Sequence, residues 1–256
     1  MIGLAQITAA RGMAFALAAW MLCAVAVAAP LEAWSDAEMS AARDTCTKLL
    51  APLDVKFESV APIRDGRCGG PALVRLSHVA GVAFTPAVVV NCPMAAAIHG
   101  WVGRAVQPAA DDLLGSTVTR LSNVNGYACR KVRGEDYVSE HATGNALDVG
   151  AFVTADRRTI TVVRHFIPAP RPVIPVPAVV TPTNRSEKTK SAAAGEGPPH
   201  PLLTPPLSQI TPEHAFLKRI HSSGCGIFGT VLGPDADGDH RDHFHFDLAE
   251  DNGVCE

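Results

Sequence analysis

The chain lacks an excess of charge of either sign. Its 22 lysines and arginines stand against 25 aspartates and glutamates, a net charge of -3 at pH 7, and the isoelectric point is near 6.4. That balance offers no basic face to a polyanion, so nucleic acid is not expected as a partner. No C-x-x-C pair occurs among its 7 cysteines, which argues against a zinc ribbon and a thioredoxin-like redox site. After the N-terminal apolar run, no other stretch could span a bilayer. What is present is 47% hydrophobic content over 256 residues, enough to bury a sizeable core in one domain, with or without an appendage.

Arg11 precedes an apolar run from Met13 to Val27, and Ala24 to Ala29 offer A-x-A cleavage sites just before Pro30. This is the pattern of a secretory signal over residues 1–29. An uncleaved membrane anchor is the alternative, although a run of about 16 residues is slightly short for a span. Cys23 follows Trp20-Met21-Leu22 and lacks the small residue that a lipoprotein signal needs before its cysteine. Removing the signal leaves Cys46, Cys68, Cys92, Cys129, Cys225 and Cys255. An even set of cysteines in an exported chain implies disulfides and a periplasmic or secreted location. Six cysteines allow fifteen connectivities; neighbour pairing predicts Cys46 with Cys68, Cys92 with Cys129, and Cys225 with Cys255.

Residues 168–206 are dense in proline, alanine and small polar residues, a composition expected to be disordered or polyproline-like. The segment after it carries too little apolar material to fold alone, so the stretch is expected to be an insertion into one domain formed by residues 30–167 and 207–256. Within that domain, 36–50 has helical spacing with Ser35 as N-cap, and 72–79 alternates like a strand. A long helix is expected over 92–114, opened by Pro93 and broken near Pro108. Strands are expected at 116–121, 145–152, 159–163 and 243–248, with a short helix at 212–222. Strands and helices segregate rather than alternate, which points to an α+β domain with a mostly antiparallel sheet flanked by helices and stabilised by disulfides.

Two stretches carry chemistry. In SEHATGNALDVGAF, residues 139–152, a strand from Asn145 places Ala146, Asp148 and Gly150 on one face and Leu147, Val149 and Ala151 on the other. An aspartate among such small residues is costly to bury without a cation. In HRDHFHFDL, residues 240–248, the same period puts His243, His245 and Asp247 on one face and Phe244 and Phe246 on the other. His141, Asp148 and His245 together form a two-nitrogen, one-oxygen set that leaves a fourth tetrahedral position open, the pattern of catalytic zinc. Zinc there supports metal-assisted hydrolysis. The plainer alternative is that these are ordinary packed histidines, the reading given to His78, His99, His165, His200, His214 and His221.

The pattern Ser139-x-His141-x-x-Gly144-x-Ala146-x-Asp148, followed by His243-x-His245, resembles the zinc signature of lysostaphin-type endopeptidases, D-alanyl-D-alanine metallopeptidases and the hedgehog signalling domain. More closely, GRCGGP (66–71), GYACR (126–130), SEHATGNALDV (139–149), FGTVLGP (228–234) and DHFHFDL (242–248) are similar to the bacterial extensin-like C-terminal domain family. The resemblance implies one zinc ion per chain held by His141, Asp148 and His245. It implies His243 as the group that activates water or stabilises the transition state, and His240 as a further active-site histidine. Arg130 matches an arginine that anchors a substrate carbonyl or carboxylate, with two residues interposed after Gly126-Tyr127. Glu140 matches a variable position, and Asp242 is expected on the opposite face of the strand from His243; neither receives a role.

Members of the wider superfamily cleave peptide bonds of peptidoglycan. The expectation is therefore an exported zinc hydrolase acting on cell-wall peptides. The alternative is a non-catalytic envelope-binding module whose zinc is structural or absent.

Overall fold

The computed structural model describes residues 34–166, 210–250 and 253–256. The secretory signal expected at 1–29 and the proline-rich stretch at 168–206 lie outside the described residues.

The first helix, α1 (Asp36–Leu50), has the expected bounds, and its start is a full capping box: Ser35 accepts from the Glu38 backbone while Glu38 accepts from Ser35. Strands β1 (Val55–Ser59), β2 (Ile63–Asp65) and β3 (Cys68–Gly70) follow, then β4 (Leu73–Val79) and β5 (Val82–Asn91). Asn91 caps the next helix, α2 (Cys92–Trp101), by accepting from the Met94 backbone at 2.8 Å. The chain stays helical to the end of α3 (Gln107–Leu114), but residues 102–106 form a π-turn between the two helices. Pro108 thus does not break the helix; the wider turn just before it accommodates a residue that has no N–H and crowds the preceding carbonyl.

The second half supplies β6 (Val118–Asn125), a 3-10 turn at Glu140–Thr143, β7 (Ala146–Thr154), β8 (Thr159–Thr161), α4 (Val162–His165), α5 (Pro212–Gly224), β9 (Thr230–Leu232), β10 (Phe244–Asp247) and β11 (Val254–Cys255). The main sheet runs β1-β4-β5-β6-β7-β10-β9-β11, with β8 also pairing β7 and β2-β3 forming a separate hairpin. The fold is α+β as expected. The sheet is mixed rather than purely antiparallel, because β5 pairs β6 and β9 pairs β11 in parallel. The expected strand at 159–163 ends early, since Val162 begins α4.

Strand β5 went unassigned in the sequence, although it joins β4 to β6 near the middle of the sheet. Pro86 interrupts its pattern, and the structure tolerates this by a register shift in the β4 ladder, between Leu76 and His78. Strands β1, β2, β3, β9 and β11 were also missed; all but the five-residue β1 have 3 residues or fewer, too few to show a period.

Three disulfides staple the domain: Cys46–Cys92, Cys68–Cys129 and Cys225–Cys255. Only the last follows neighbour pairing. The first two are corrections with a spatial cause: α1 packs against α2, setting Cys46 beside Cys92, and the β2-β3 hairpin meets the loop after β6, setting Cys68 beside Cys129. Among the described residues no helix is long and apolar enough to cross a membrane. Three disulfides belong to a chain that folds outside the reducing cytosol.

Trp101 centres the core. Its ring packs on Phe246 at 4.6 Å between centroids, and its Nε1–H donates to the Ile220 carbonyl at 3.0 Å, tying α2 to α5. Leu147 and Val149 of β7 are buried with their cross-strand partners Phe246 and Phe244. The alternate residues of both strands are thereby committed to the opposite face.

His221 of α5 packs on Phe244 and Phe166, with ring centroids at 4.9 and 5.6 Å. Burial pushes its imidazole down to about 4. The unfolded chain takes this proton near pH 6.5 and the folded chain only near 4, so lowering the pH through that window favours unfolding. Denaturant titrations should show wild type losing roughly 3 kcal/mol more than His221→Leu between pH 7 and 4, an upper bound from the two pKa values.

Candidate metal centre

His141 is presented by the tight turn between β6 and β7. Ser139 accepts from the His141 backbone, and Gly144 ends the turn with φ of +68°. A Cβ on Gly144 would lie 2.9 Å from the Asn91 nitrogen, so glycine is required there both for the backbone conformation and for the close approach. The Gly144 carbonyl accepts from Asn91 N at 2.7 Å, and the His141 carbonyl accepts from Ala128 N at 3.0 Å. The His141 ring is fully buried, with Nδ1 2.6 Å from the Gly126 carbonyl. Because a carbonyl only accepts, Nδ1 carries the hydrogen and Nε2 is left as a lone pair.

Asp148 and His245 are direct cross-strand partners of β7 and β10, in line with Asn125 of β6 and Leu232 of β9. Asn125 Nδ2 donates to Asp148 Oδ2 at 3.3 Å. His245 Nε2 lies 2.9 Å from Asp247 Oδ2, which places a hydrogen on Nε2 and turns Nδ1 inward. Asp247 is held in turn by the Ala249 backbone N–H at 2.9 Å.

Three acceptor atoms therefore converge. Asp148 Oδ1 is 3.1 Å from His141 Nε2 and 3.0 Å from His245 Nδ1, and the two nitrogens are 3.2 Å apart. A tetrahedral ion with bonds of about 2.0–2.1 Å separates its ligand atoms by about 3.3 Å, so the triangle fits a small divalent cation with little movement. This buried group of His141, Asp148 and His245 could hold a metal ion. Each imidazole has an acceptor on its far nitrogen, the usual support for a metal-binding histidine.

Burial alone would raise the Asp148 carboxyl, but the hydrogen bonds and charges of His141 and His245 hold it far below the usual carboxylate range. Burial would depress His245, yet the hydrogen bonds to Asp148 and Asp247 raise it to about 9. Without a cation, a proton takes the place between these groups.

The centre lies in a cleft of about 620 Å³ whose wall includes Arg130, His240, His243 and the 131–133 segment. His243 Nε2 is 3.6 Å from Asp148 Oδ1. His240 sits against His243 and His245, with ring centroids at 5.3 and 5.6 Å, and its Nδ1 is 2.9 Å from both carboxylate oxygens of Asp237. Burial lowers the His240 pKa, against the opposing pull of Asp237. Arg130 is exposed at the cleft wall. Beyond His243 a smaller hollow of about 340 Å³ continues past Asn125, Gly150, Thr161 and Val163.

One expectation about a single residue is overturned. Asp242 does not point away from His243; its Oδ1 lies 2.9 Å from His243 Nδ1. Strand pairing begins only at Phe244, so two-residue alternation does not govern a bend one step earlier. Glu140, given no role, accepts from Asn145 Nδ2 at 2.7 Å, and Asn145 Oδ1 accepts from Asn91 Nδ2 at 3.0 Å, which links the His141 turn to the α2 cap. Sequence reasoning also missed Gly126 and Asn125, whose roles rest on long-range pairing. It placed Asp247 on the His245 face without seeing that the two are partners.

Equilibrium dialysis should find one divalent ion per chain, and His141→Ala, Asp148→Asn or His245→Ala should each weaken binding at least about 100-fold, since each deletes a ligand. The ion displaces the proton on His245, so apparent affinity should rise with pH and level off above about 9.

No curated protein and no solved structure matches the chain. A family model described as extensin-like protein C-terminus matches residues 44–173 and 207–256. The two matched segments carry all three residues of the triangle together with Arg130, His240 and His243. With well over half of its length accounted for in this way, the chain belongs to the extensin-like protein C-terminus family.

Proposed function

We propose that the protein is an exported zinc-dependent hydrolase that cuts peptide bonds of peptidoglycan, in the periplasm or outside the cell. The observation that carries the reading is the triangle of His141 Nε2, Asp148 Oδ1 and His245 Nδ1, open to a cleft and joined by no fourth ligand among the described residues. Two imidazoles and one carboxylate suit zinc, and three protein ligands with a vacant fourth position are the mark of a catalytic site. The likeness of the His141, Asp148 and His245 pattern to that of the zinc peptidases of cell walls supplies the substrate class.

When bound, zinc would supply Lewis acidity, which acidifies water and polarises a carbonyl. The chain's own groups do the rest. His243, with Nε2 3.6 Å from the Asp148 carboxylate, is placed to take a proton from the attacking water and pass it to the leaving amine. His240 lies behind it, held by Asp237. Arg130 on the cleft wall offers a guanidinium to a substrate carbonyl or carboxylate. The hollows on either side of His243 leave room for peptide on both sides of the cut bond.

Metal analysis of the purified protein together with muropeptide digestion tests the proposal. Stoichiometric zinc and released peptide are expected for wild type. His141→Ala should lose both, while His243→Ala should keep zinc and lose about 10²–10⁴ in turnover. Stoichiometric zinc without turnover would refute the hydrolase and leave an envelope-binding module; absence of zinc would refute both metal readings.

A further inference from the structure

Four imidazoles crowd the centre, and each has one ring nitrogen against a fixed acceptor. For the two ligands these are the Gly126 carbonyl on His141 Nδ1 and the Asp247 carboxylate on His245 Nε2. For the two histidines that are not ligands they are Asp237 on His240 and Asp242 on His243, each at 2.9 Å from Nδ1. The device is the same in every case: an acceptor claims the N–H of one nitrogen and leaves the other as an oriented lone pair.

His243 depends on this device most. It stands one residue before β10, outside the ladder pairs that fix His245, and its side chain is 24% exposed. Water can therefore reach the ring, and a neutral imidazole without a partner exchanges between its two tautomers. Only the form with hydrogen on Nδ1 leaves a lone pair on Nε2, the nitrogen 3.6 Å from Asp148 Oδ1 and so beside the open side of the triangle.

We infer that Asp242 is a positioning residue whose carboxylate captures the Nδ1–H of His243 and so presents a bare Nε2 to the metal centre. The inference rests on the reading of His243 as the proton acceptor. The Asp242 side chain is 58% exposed, so removing it empties no core space and touches none of the three ligands.

The test is long-range ¹H–¹⁵N correlation of histidine-labelled, zinc-loaded protein, with hydrolysis measured in parallel. Wild type should show His243 as a single tautomer with hydrogen on Nδ1. Asp242→Ala should show a tautomer mixture, unchanged zinc stoichiometry, and a kcat about 10–100-fold lower with little change in KM. A wild-type His243 protonated on Nε2, or an Asp242→Ala spectrum identical to wild type, overturns the inference. A wild type that hydrolyses nothing counts against the hydrolase instead, and the tautomer comparison still decides the role of Asp242.

Discussion

The centre depends on a deficit of protons. Three acceptors meet at one point because the nitrogen on the far side of each imidazole is already donating, to Gly126 in one case and to Asp247 in the other. With those N–H groups turned outward, neither neutral ligand histidine donates into the gap, and a cation or a proton has to fill it. The arrangement is possible only because β10 lies in one register beside β7, with Phe244 and Phe246 in the core and His245 opposite Asp148. A slip of one residue would turn the phenylalanines into the cleft and bury the histidine among aromatics. Core and site therefore fix each other: the apolar demand of two rings selects the register that creates the polar triangle.

Supporting groups are drawn from nearly every part of the sheet. Gly126 leaves β6 so close to β5 that a Cβ would fall 2.3 Å from the Val89 carbonyl, and this approach aims its own carbonyl at His141. Three residues further on, Cys129 is bonded to Cys68, which anchors the segment leading to Arg130. On the other side Asn91 caps α2, donates to Asn145 and receives the Gly144 carbonyl through its backbone. The His141 turn is thus held from both ends, and apart from the α2 cap these contacts join residues far apart in sequence.

That distance explains what could be read from the sequence. His141, Asp148 and His245 were visible because their spacing follows local rules: a glycine-ended turn entering a strand, and a second strand that alternates phenylalanine with histidine. Helix α1 was visible for the same reason, since its capping box lies within four residues. Strand β5 was hidden by Pro86, and the shortest strands have no period to detect. Two disulfides were misassigned because nearness along the chain says little about which helix packs on which. Asp242 was misjudged for a subtler reason: alternation was extended one step beyond the strand to which it applies.

In polymer terms, the triangle closes a larger loop than any disulfide of the described fold. The disulfides span separations of 30, 46 and 61 residues, whereas His141 and His245 are 104 apart. Loop-closure entropy grows only slowly with length, by about 0.6 kcal/mol for each doubling, so the extra span is cheap once β10 is seated. An ion in the triangle would act as the longest cross-link of the domain, joining the two segments on either side of the proline-rich stretch. Whatever that stretch does, the ends it connects would be fastened independently of it.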